Sequence, residues 1–500
     1  MILTWTLLPV VAAAWLALYL WQCWTSPVSQ VPGTTLSRFT SAPLRWHEFR
    51  ANRTLYIHSL HLKYGPVVRL APGELSFTSY EAVKEIYGSF GSGYDKTKFY
   101  NMFRVFGRRT MFSTLEKNDV RGFYPQDWIQ WISAYVKQHA KRKRIIADRY
   151  ANSNVVKPAA VSGIESRALE FTRQCEEASG SSVDIYMKLH SYACDGVTHN
   201  LFHPFGSNCL QNEEDRIMMH QATNDNSLQS RLLQHHYPVI YTYMSRIIDL
   251  FLEPRATPLA NAFINEKSNA TDPAPFTLLS RLQEKIGSDL DVTDIAAECQ
   301  DHMVAGIDTT GDALCFLMWQ LSQPESAHIM QDLQKELRAN RDTNFDKLPF
   351  LDAVVQEGLR CFPAIPMSLP RHVPQDGRNI DGYFIPQGTI VSSQAYSVNR
   401  HNSDVFPDPD RFNPYRWMEP EGDAERRRLM FSFSHGGRGC VGKHLAFLEM
   451  KLLLRHVYVK FTTVPDPATT RESMIFHDQI ISSRPLGQNC LLKFVPIAED

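Results

Sequence analysis

The spacing of apolar and polar residues divides the chain into an apolar beginning, a helical centre and short β-rich segments. From about residue 160 to residue 340, apolar residues recur at the spacing of amphipathic helices. Leu348–Phe362 and the run after Cys440 also have helical periodicity. Tyr64–Ser79 and Gly382–Val398 are rich in β-branched and aromatic residues and are interrupted by Pro and Gly. We therefore predict an α+β fold that is mainly α-helical with small β-sheets.

The N-terminus predicts one transmembrane helix. Ile2 to Trp21 contains no charged residue and is long enough to span a hydrocarbon core of roughly 30 Å. A cleaved signal peptide is the alternative, but no basic residue precedes the apolar stretch, which is also long for such a peptide. The basic residues follow the span, which predicts that the body faces the cytosol. They are Arg38, Arg45, Arg50 and Arg53.

These features suggest a simple domain organisation. Residues 1–24 are predicted to be the membrane anchor, and 25–45 a Pro/Gly/Ser-rich linker that aims the body relative to the membrane. Residues 46–500 would form the body of the protein. No internal repeat is visible in the sequence.

The charge balance and the cysteine pattern argue against a nucleic-acid-binding protein and against a disulfide-stabilised protein. The 52 basic and 53 acidic residues give a net charge of −1, and the longest run of like charges is Lys141–Arg144, so nothing predicts binding to nucleic acid. The nine cysteines are dispersed without a C-x-x-C pair. This pattern is typical of reduced thiols in the cytosol rather than of a disulfide framework.

The segment Phe433–His444, FSHGGRGCVGKH, carries the most specific chemistry and admits three interpretations. It resembles a phosphate-binding loop, but His444 stands where that loop needs a hydroxyl for Mg²⁺, and a poor strand precedes it. His435, Cys440 and His444 could ligate zinc, although no fourth ligand lies at a usual spacing. The third interpretation is a haem held by Cys440 alone.

The haem interpretation accounts for more of these residues. A thiolate ligand needs backbone N–H donors, and glycines such as Gly436 allow close approach of the backbone. Phe433 can shield the sulfur from water, and Arg438 can pair with a haem propionate. The pattern F-x-x-G-x-R-x-C-x-G in this segment resembles that of the cytochrome P-450 family. The resemblance implies the family's fold, a haem b cofactor and Cys440 as the axial ligand of its iron.

Two further motifs strengthen the resemblance. Ala305–Thr310, AGIDTT, matches the family's oxygen-activating segment. There the small Ala305 and Gly306 would leave room for dioxygen, and Asp308 and Thr309 would form an acid–alcohol pair that relays protons.

The second motif is Glu357-Gly-Leu-Arg360, which matches the family's E-x-x-R. The resemblance implies that Glu357 and Arg360 form a structural network with Arg416, although Tyr415 replaces the Glu usual before that arginine. It also implies that Arg371, His139 and Lys143 contact the haem propionates.

One stretch departs from the family pattern. Val120–Gln138 inserts nineteen residues before the helix that would carry His139. Its length and its terminal residues are compatible with the codons of a retained intron of 57 nucleotides, which is our hypothesis. The alternative is a true insertion, such as a membrane-dipping loop with Trp128 and Trp131, and sequencing the transcript distinguishes the two.

The resemblance implies a membrane-bound haem-thiolate monooxygenase in the endoplasmic reticulum. It would pass once through the membrane, with its catalytic domain in the cytosol. It would oxidise an apolar small molecule with O₂ and with electrons from NADPH, delivered by NADPH-cytochrome reductase and in some reactions by cytochrome b5. The closest motifs are fungal, so a terpenoid, polyketide or alkaloid intermediate of secondary metabolism is the expected substrate. The alternatives are a reductase-independent isomerase or dehydratase and a non-catalytic membrane haem sensor.

Overall fold

The structure is a computed structural model that describes residues 2–88, 93–115, 138–287 and 289–498. Helices dominate the described residues, and the strands are short, as the periodicity predicted. The hypothesised intron segment, with Trp128 and Trp131, lies outside the described residues except for Gln138, where a helix begins.

Nineteen α-helices occur in the described part of the chain. They are α1 (Ile2–Thr25), α2 (Ala42–Phe49), α3 (Arg53–Tyr64), α4 (Tyr80–Val83), α5 (Gln138–Ile146), α6 (Asn152–Val155), α7 (Pro158–Glu177), α8 (Ile185–Phe202), α9 (Glu213–Thr223), α10 (Leu228–His236), α11 (Pro238–Ile248), α12 (Pro258–Lys267), α13 (Leu278–Gln283), α14 (Val292–Leu321), α15 (Ala327–Ala339), α16 (Pro349–Cys361), α17 (Ala395–His401), α18 (Asp423–Leu429) and α19 (Lys443–Tyr458).

The strands form four small sheets. The strands are β1 (Val67–Ala71), β2 (Glu74–Phe77), β3 (Asp95–Lys96), β4 (Ser182–Asp184), β5 (Arg371–His372), β6 (Arg378–Ile380), β7 (Tyr383–Ile385), β8 (Ile390–Ser392), β9 (Phe461–Pro465), β10 (Phe476–Asp478), β11 (Ser483–Pro485) and β12 (Leu491–Pro496). The largest sheet has the order β1-β2-β8-β5-β3, with β2 and β8 parallel and its other pairs antiparallel. The others are β4-β12-β9, β6-β7 and β10-β11. The β-rich stretch Tyr64–Ser79 contains the antiparallel hairpin β1-β2.

The core is built around α14. This 30-residue helix starts with a capping box, in which Asp291 and Asp294 each bond the other's backbone N–H, and most of its side chains are buried. Gly306 allows α8 to pack closely on it, because a Cβ at that position would lie 2.6 Å from Cγ2 of Val197. The sequence interpretation of Gly306 as space for dioxygen is therefore incomplete, since its missing side chain accommodates the neighbouring helix.

The N-terminal region meets the body through Arg69. Its guanidinium donates to the carbonyls of Ser29 and Val31 at 2.8 and 2.5 Å, and Val28 and Val31 are buried. The residues predicted to form a linker are thus packed against the body. The prediction of a span over Ile2–Trp21 finds no support, because no helix in the described part of the chain is long and apolar enough to cross a membrane.

Candidate active site

A cavity of about 860 Å³ lies between α14, α5 and the segment that contains Cys440. The cavity is lined by residues of every predicted chemical motif apart from the Glu357 network. From the predicted set these are Ala305, Asp308, Thr309, His139, Lys143, Arg371, Phe433, Arg438 and Cys440. The fold thus brings together side chains that are far apart in the sequence.

Cys440 sits in a loop that directs backbone N–H groups at its sulfur. Its own N–H donates to the carbonyl of Phe433 at 2.9 Å, which closes the loop. The N–H groups of Gly442 and Lys443 donate to Sγ, and α19 begins at Lys443 with its positive end near the thiol. Although Cys440 is exposed toward the cavity, desolvation by the surrounding protein raises the pKa of its thiol, and the N–H groups of Gly442 and Lys443 oppose this rise.

Gly436 allows this loop to approach the rest of the protein. Its φ of +66° lies in the left-handed region that favours glycine, and a Cβ there would lie 2.1 Å from the carbonyl oxygen of Tyr87. The glycine predicted to free the backbone around the thiol therefore has a second reason to be glycine, the contact with Tyr87.

Cationic side chains converge on one side of the cavity. Lys96 on β3 and Arg371 on β5 face each other directly in the sheet register, and both are buried. Burial, together with the neighbouring charges of Arg438, Lys96 and Lys143, lowers the pKa of His139 to about 2. Burial, Arg371 and Arg438 likewise hold the pKa of Lys96 well below its usual value. Such mutual repulsion marks a place where anionic groups bind favourably.

The remaining contacts show how these cations are held. The guanidinium of Arg371 donates to the hydroxyl of Tyr100 at 2.8 Å, and that of Arg438 donates to the carbonyl of Thr114 at 2.8 Å. Lys143 donates to the carbonyl of Gly437 at 2.9 Å, so α5 is tied directly to the Cys440 loop.

On α14, Asp308 and Thr309 occupy separate environments. The Thr309 hydroxyl donates to the carbonyl of Ala305 at 2.7 Å, one turn earlier in the helix. Burial raises the pKa of Asp308 to about 7, with a further contribution from Asp312. Its Oδ1 is buried and lacks a hydrogen-bond partner among the described residues. Asp308 is therefore a carboxyl that can both accept and donate a proton near neutral pH.

The residues predicted to form a structural network do contact one another. Nε of Arg360 donates to Oε2 of Glu357 at 2.8 Å, and both side chains are completely buried. Arg416 donates to Oε1 of Glu357 at 3.2 Å, and the Trp417 indole donates to Oε2 at 2.9 Å. The side chain of Arg360 also holds the backbone carbonyl of Pro409 at 2.6 Å, so this cluster fixes the loop that follows α17.

Lys96 and Glu449 are among the cavity residues that the sequence did not suggest. Lys96 is buried, whereas Lys98, two positions later, is exposed. Nothing in the local sequence distinguishes the two lysines, because Lys96 is set apart by its pairing with Arg371 in the sheet. Glu449 on α19 is also buried, and its Oε2 accepts a hydrogen bond from Thr310 at 3.2 Å. Burial raises the pKa of Glu449 to about 8, which makes it a second carboxyl that is protonated at neutral pH.

The two interpretations rejected from the sequence find no support in the structure. Within the described ranges, no group of three or more His, Cys, Asp and Glu side chains is placed to hold a metal ion, so the zinc site is not formed. Short helical turns and α18 precede the Cys440 loop, where a phosphate-binding loop would follow a strand. The thiol with its N–H donors and the neighbouring cations instead fits a haem held through a cysteine sulfur, with partners for the two propionate carboxylates.

Comparison with known proteins agrees with this geometry. The sequence profile of the Cytochrome P450 family matches residues 32–491. The chain is 26% identical to the cytochrome P450 monooxygenase aflV of Aspergillus parasiticus, over 98% of this chain and 96% of the relative. It is 27% identical to stcB of Emericella nidulans, over 93% and 88% of the two chains, and 27% identical to tazI of Aspergillus terreus, over 95% of each. The chain belongs to the cytochrome P450 family, whose cofactor is haem.

Proposed function

We propose that the protein is a haem-thiolate monooxygenase that inserts one oxygen atom from O₂ into a small, largely apolar molecule of fungal secondary metabolism. A terpenoid, polyketide or alkaloid intermediate is the substrate class we propose. Electrons come from NADPH through a separate reductase, with cytochrome b5 as a possible second donor. The observation that carries the proposal is the Cys440 sulfur, which faces the same cavity as the cation cluster and the carboxyl of Asp308.

When bound, haem supplies the iron at which O₂ is activated. The side chain of Cys440 would hold this iron, and the N–H groups of Gly442 and Lys443 would stabilise the negative sulfur. Phe433 would cover the sulfur, since it packs against Phe447 with ring centroids 5.6 Å apart. The loop thus provides a sulfur ligand whose negative charge two backbone N–H groups would stabilise.

The propionates would be held by the cation cluster. We assign this role to Arg371 and Arg438, and add Lys96, which the sequence did not suggest. The imidazole of His139, neutral at its pKa of about 2, would donate an N–H to a propionate. Lys143 was predicted to contact a propionate. Its hydrogen bond to the Cys440 loop supports a second role, which is to position that loop. Binding of two carboxylates would relieve the repulsion that lowers the pKa values of Lys96 and His139.

Proton delivery is the role proposed for α14. The carboxyl of Asp308 would hold a proton and pass it into the cavity. The Thr309 hydroxyl would turn away from the carbonyl of Ala305 and hydrogen-bond to the group that receives this proton. The pair of His190 and Asp312 lies behind Asp308, with Nε2 and Oδ1 3.6 Å apart, and would return a proton to it.

Turnover with labelled oxygen tests the proposed reaction. The purified holoprotein would be given NADPH, a fungal P450 reductase and a panel of terpenoid, polyketide and alkaloid compounds under isotopically labelled O₂. We expect one labelled oxygen atom in the product and no product without the reductase. Conversion without NADPH would indicate an isomerase or a dehydratase. If the protein binds haem through a thiolate but converts nothing, the result would favour a haem sensor.

Substitution of Asp308 by Asn should lower the turnover rate by about 100-fold or more, because the protonatable carboxyl is lost. The pKa of Asp308 is near 7, so the protonated form is lost as the pH rises through 7. The wild-type rate should therefore fall above pH 7, and this dependence should be absent from Asp308→Asn but present in Asp308→Glu. A wild-type pH profile retained by the Asn variant would contradict the assignment.

We further propose that α1 attaches the protein to the endoplasmic reticulum membrane, with the catalytic body in the cytosol. The support is its row of exposed apolar side chains, including Trp15, Leu18 and Trp21, each more than half exposed. Trp15→Asp combined with Leu18→Asp should move the full chain from the floating to the soluble fraction when it is mixed with phosphatidylcholine vesicles. Equal flotation of both proteins would show that α1 does not anchor the chain.

A further inference from the structure

A second charged cluster lies on the cavity wall that is built by the chain between α9 and α12. Arg231 on α10 donates from Nη1 to Oδ2 of Asp225 at 2.9 Å, and Arg255 forms an ion pair with the same oxygen. All three residues line the cavity that contains Cys440. The motifs that identify the family do not include them, so their charge needs a separate explanation.

The positive charge exceeds the negative charge in this cluster. In the described part of the chain, Asp225 is the one carboxylate that pairs with either arginine. Although burial opposes ionisation, Arg255 and Arg231 lower the pKa of Asp225 to about 2, so it carries a full negative charge. Burial lowers the pKa of Arg231 to about 10, against the attraction of Asp225 and with the repulsion of Arg255, so it stays charged at neutral pH. Two cations and one anion leave one positive charge.

The excess positive charge lies on the wall of the cavity that contains Cys440. Arg255 lowers the pKa of Asp308 and Asp225 raises it, so the cluster and the proposed proton donor share one electrostatic environment. Asp308 has a pKa of about 7 and is only partly ionised, so it does not provide a full counter-charge. The side chain of Arg255 keeps 29% of its surface exposed, which leaves its guanidinium accessible to a ligand.

The rest of the wall suits a molecule that is polar at one end. Arg231 also donates to the backbone carbonyl of Met102 and lies 5.6 Å from the ring of Phe103, so apolar surface begins beside the guanidinium. Guanidinium groups bind carboxylates through two parallel hydrogen bonds, which fixes the orientation of a ligand as well as its affinity.

From this charge balance we infer that the substrate carries one carboxylate on an otherwise apolar body, and that the carboxylate docks on Arg231 and Arg255. The inference rests on the proposed function and restricts its substrates to apolar molecules that carry one carboxylate. With the acidic group held at this wall, the apolar part of the substrate extends toward the haem and presents a fixed position for oxidation.

Matched ligand pairs test the inference. Ferric holoprotein would be titrated with biphenyl-4-carboxylic acid, 1-naphthoic acid, dodecanoic acid and abietic acid, and with the primary amide of each. Binding would be followed by the Soret shift and by equilibrium dialysis. We expect at least one acid to bind about tenfold more tightly than its amide, since a hydrogen bond between charged groups is worth about that factor. Arg255→Gln and Arg231→Gln should each remove the preference and leave amide binding unchanged.

Two controls separate recognition from structure. Arg255→Lys keeps the charge and should keep part of the preference, and Arg246→Gln removes an exposed cation of α11 outside the cavity wall and should change nothing. Equal affinities for all acids and amides, binding of no acid, or a preference that survives both Gln variants would overturn the inference. Failure of the monooxygenase proposal would appear separately, as absent NADPH-dependent turnover, because these titrations need neither NADPH nor reductase.

Discussion

Replacing Cys440 by Ser should abolish the red-shifted Soret band that a thiolate-bound haem gives on reduction with carbon monoxide. The hydroxyl is similar in size but is far less acidic than a thiol, so the two backbone N–H groups aimed at this position would no longer stabilise an anionic ligand. Loss of a residue that only supports a metal ligand costs about 10- to 100-fold in affinity or activity, so loss of the ligand itself should lower turnover by more than ~100-fold.

A matched control uses one of the other cysteines. Cys175 is fully buried on α7 and does not line the cavity, so Cys175→Ser should keep the thiolate band. Far-UV circular dichroism of both variants would report whether the fold is retained. A thiolate-type band in folded Cys440→Ser would refute the ligand assignment.

The second large effect is expected at Glu357. Substitution by Ala would leave the buried guanidinium of Arg360 without its carboxylate and would remove the acceptor of Arg416 and Trp417. Breaking a buried ion pair in this way costs about 3–5 kcal/mol, a large fraction of the roughly 5–15 kcal/mol that stabilises a typical protein. Urea unfolding should show this loss, and the purified protein should contain little haem.

Glu213 provides the comparison for this prediction. It pairs with Arg216 three residues later, as Glu357 does with Arg360, but the two side chains are 69% and 42% exposed. Water already solvates both charges, so Glu213→Ala should cost less than about 1 kcal/mol. Similar losses in the two variants would mean that burial of the Glu357 cluster does not govern its contribution.

The centre of the candidate site could be predicted from local patterns in the sequence. Phe433, Gly436, Arg438 and Cys440 lie within eight residues, and their pattern resembles the cysteine loop of the family. Glu357 and Arg360 are likewise fixed relative to each other by one turn of helix. The chemistry of such segments depends on the backbone next to them and can be inferred before the tertiary fold is known.

The outer parts of the site could not be predicted in this way. Lys96 is placed at the cavity by its pairing with Arg371 on a neighbouring strand. Glu449 is placed there by its hydrogen bond with Thr310 on another helix. Arg231 and Arg255 become a cluster only because both reach Asp225. None of these pairings has a fixed separation along the chain, so a single sequence gives no signal for them.

The contact between Gly306 and Val197 has a consequence for the history of the protein. A side chain at position 306 would overlap Val197, so position 306 is not free to change while valine occupies position 197. A lineage can acquire alanine at 306 only after a smaller residue has replaced Val197. The contact therefore fixes the order of the two substitutions, with the change at 197 preceding the change at 306.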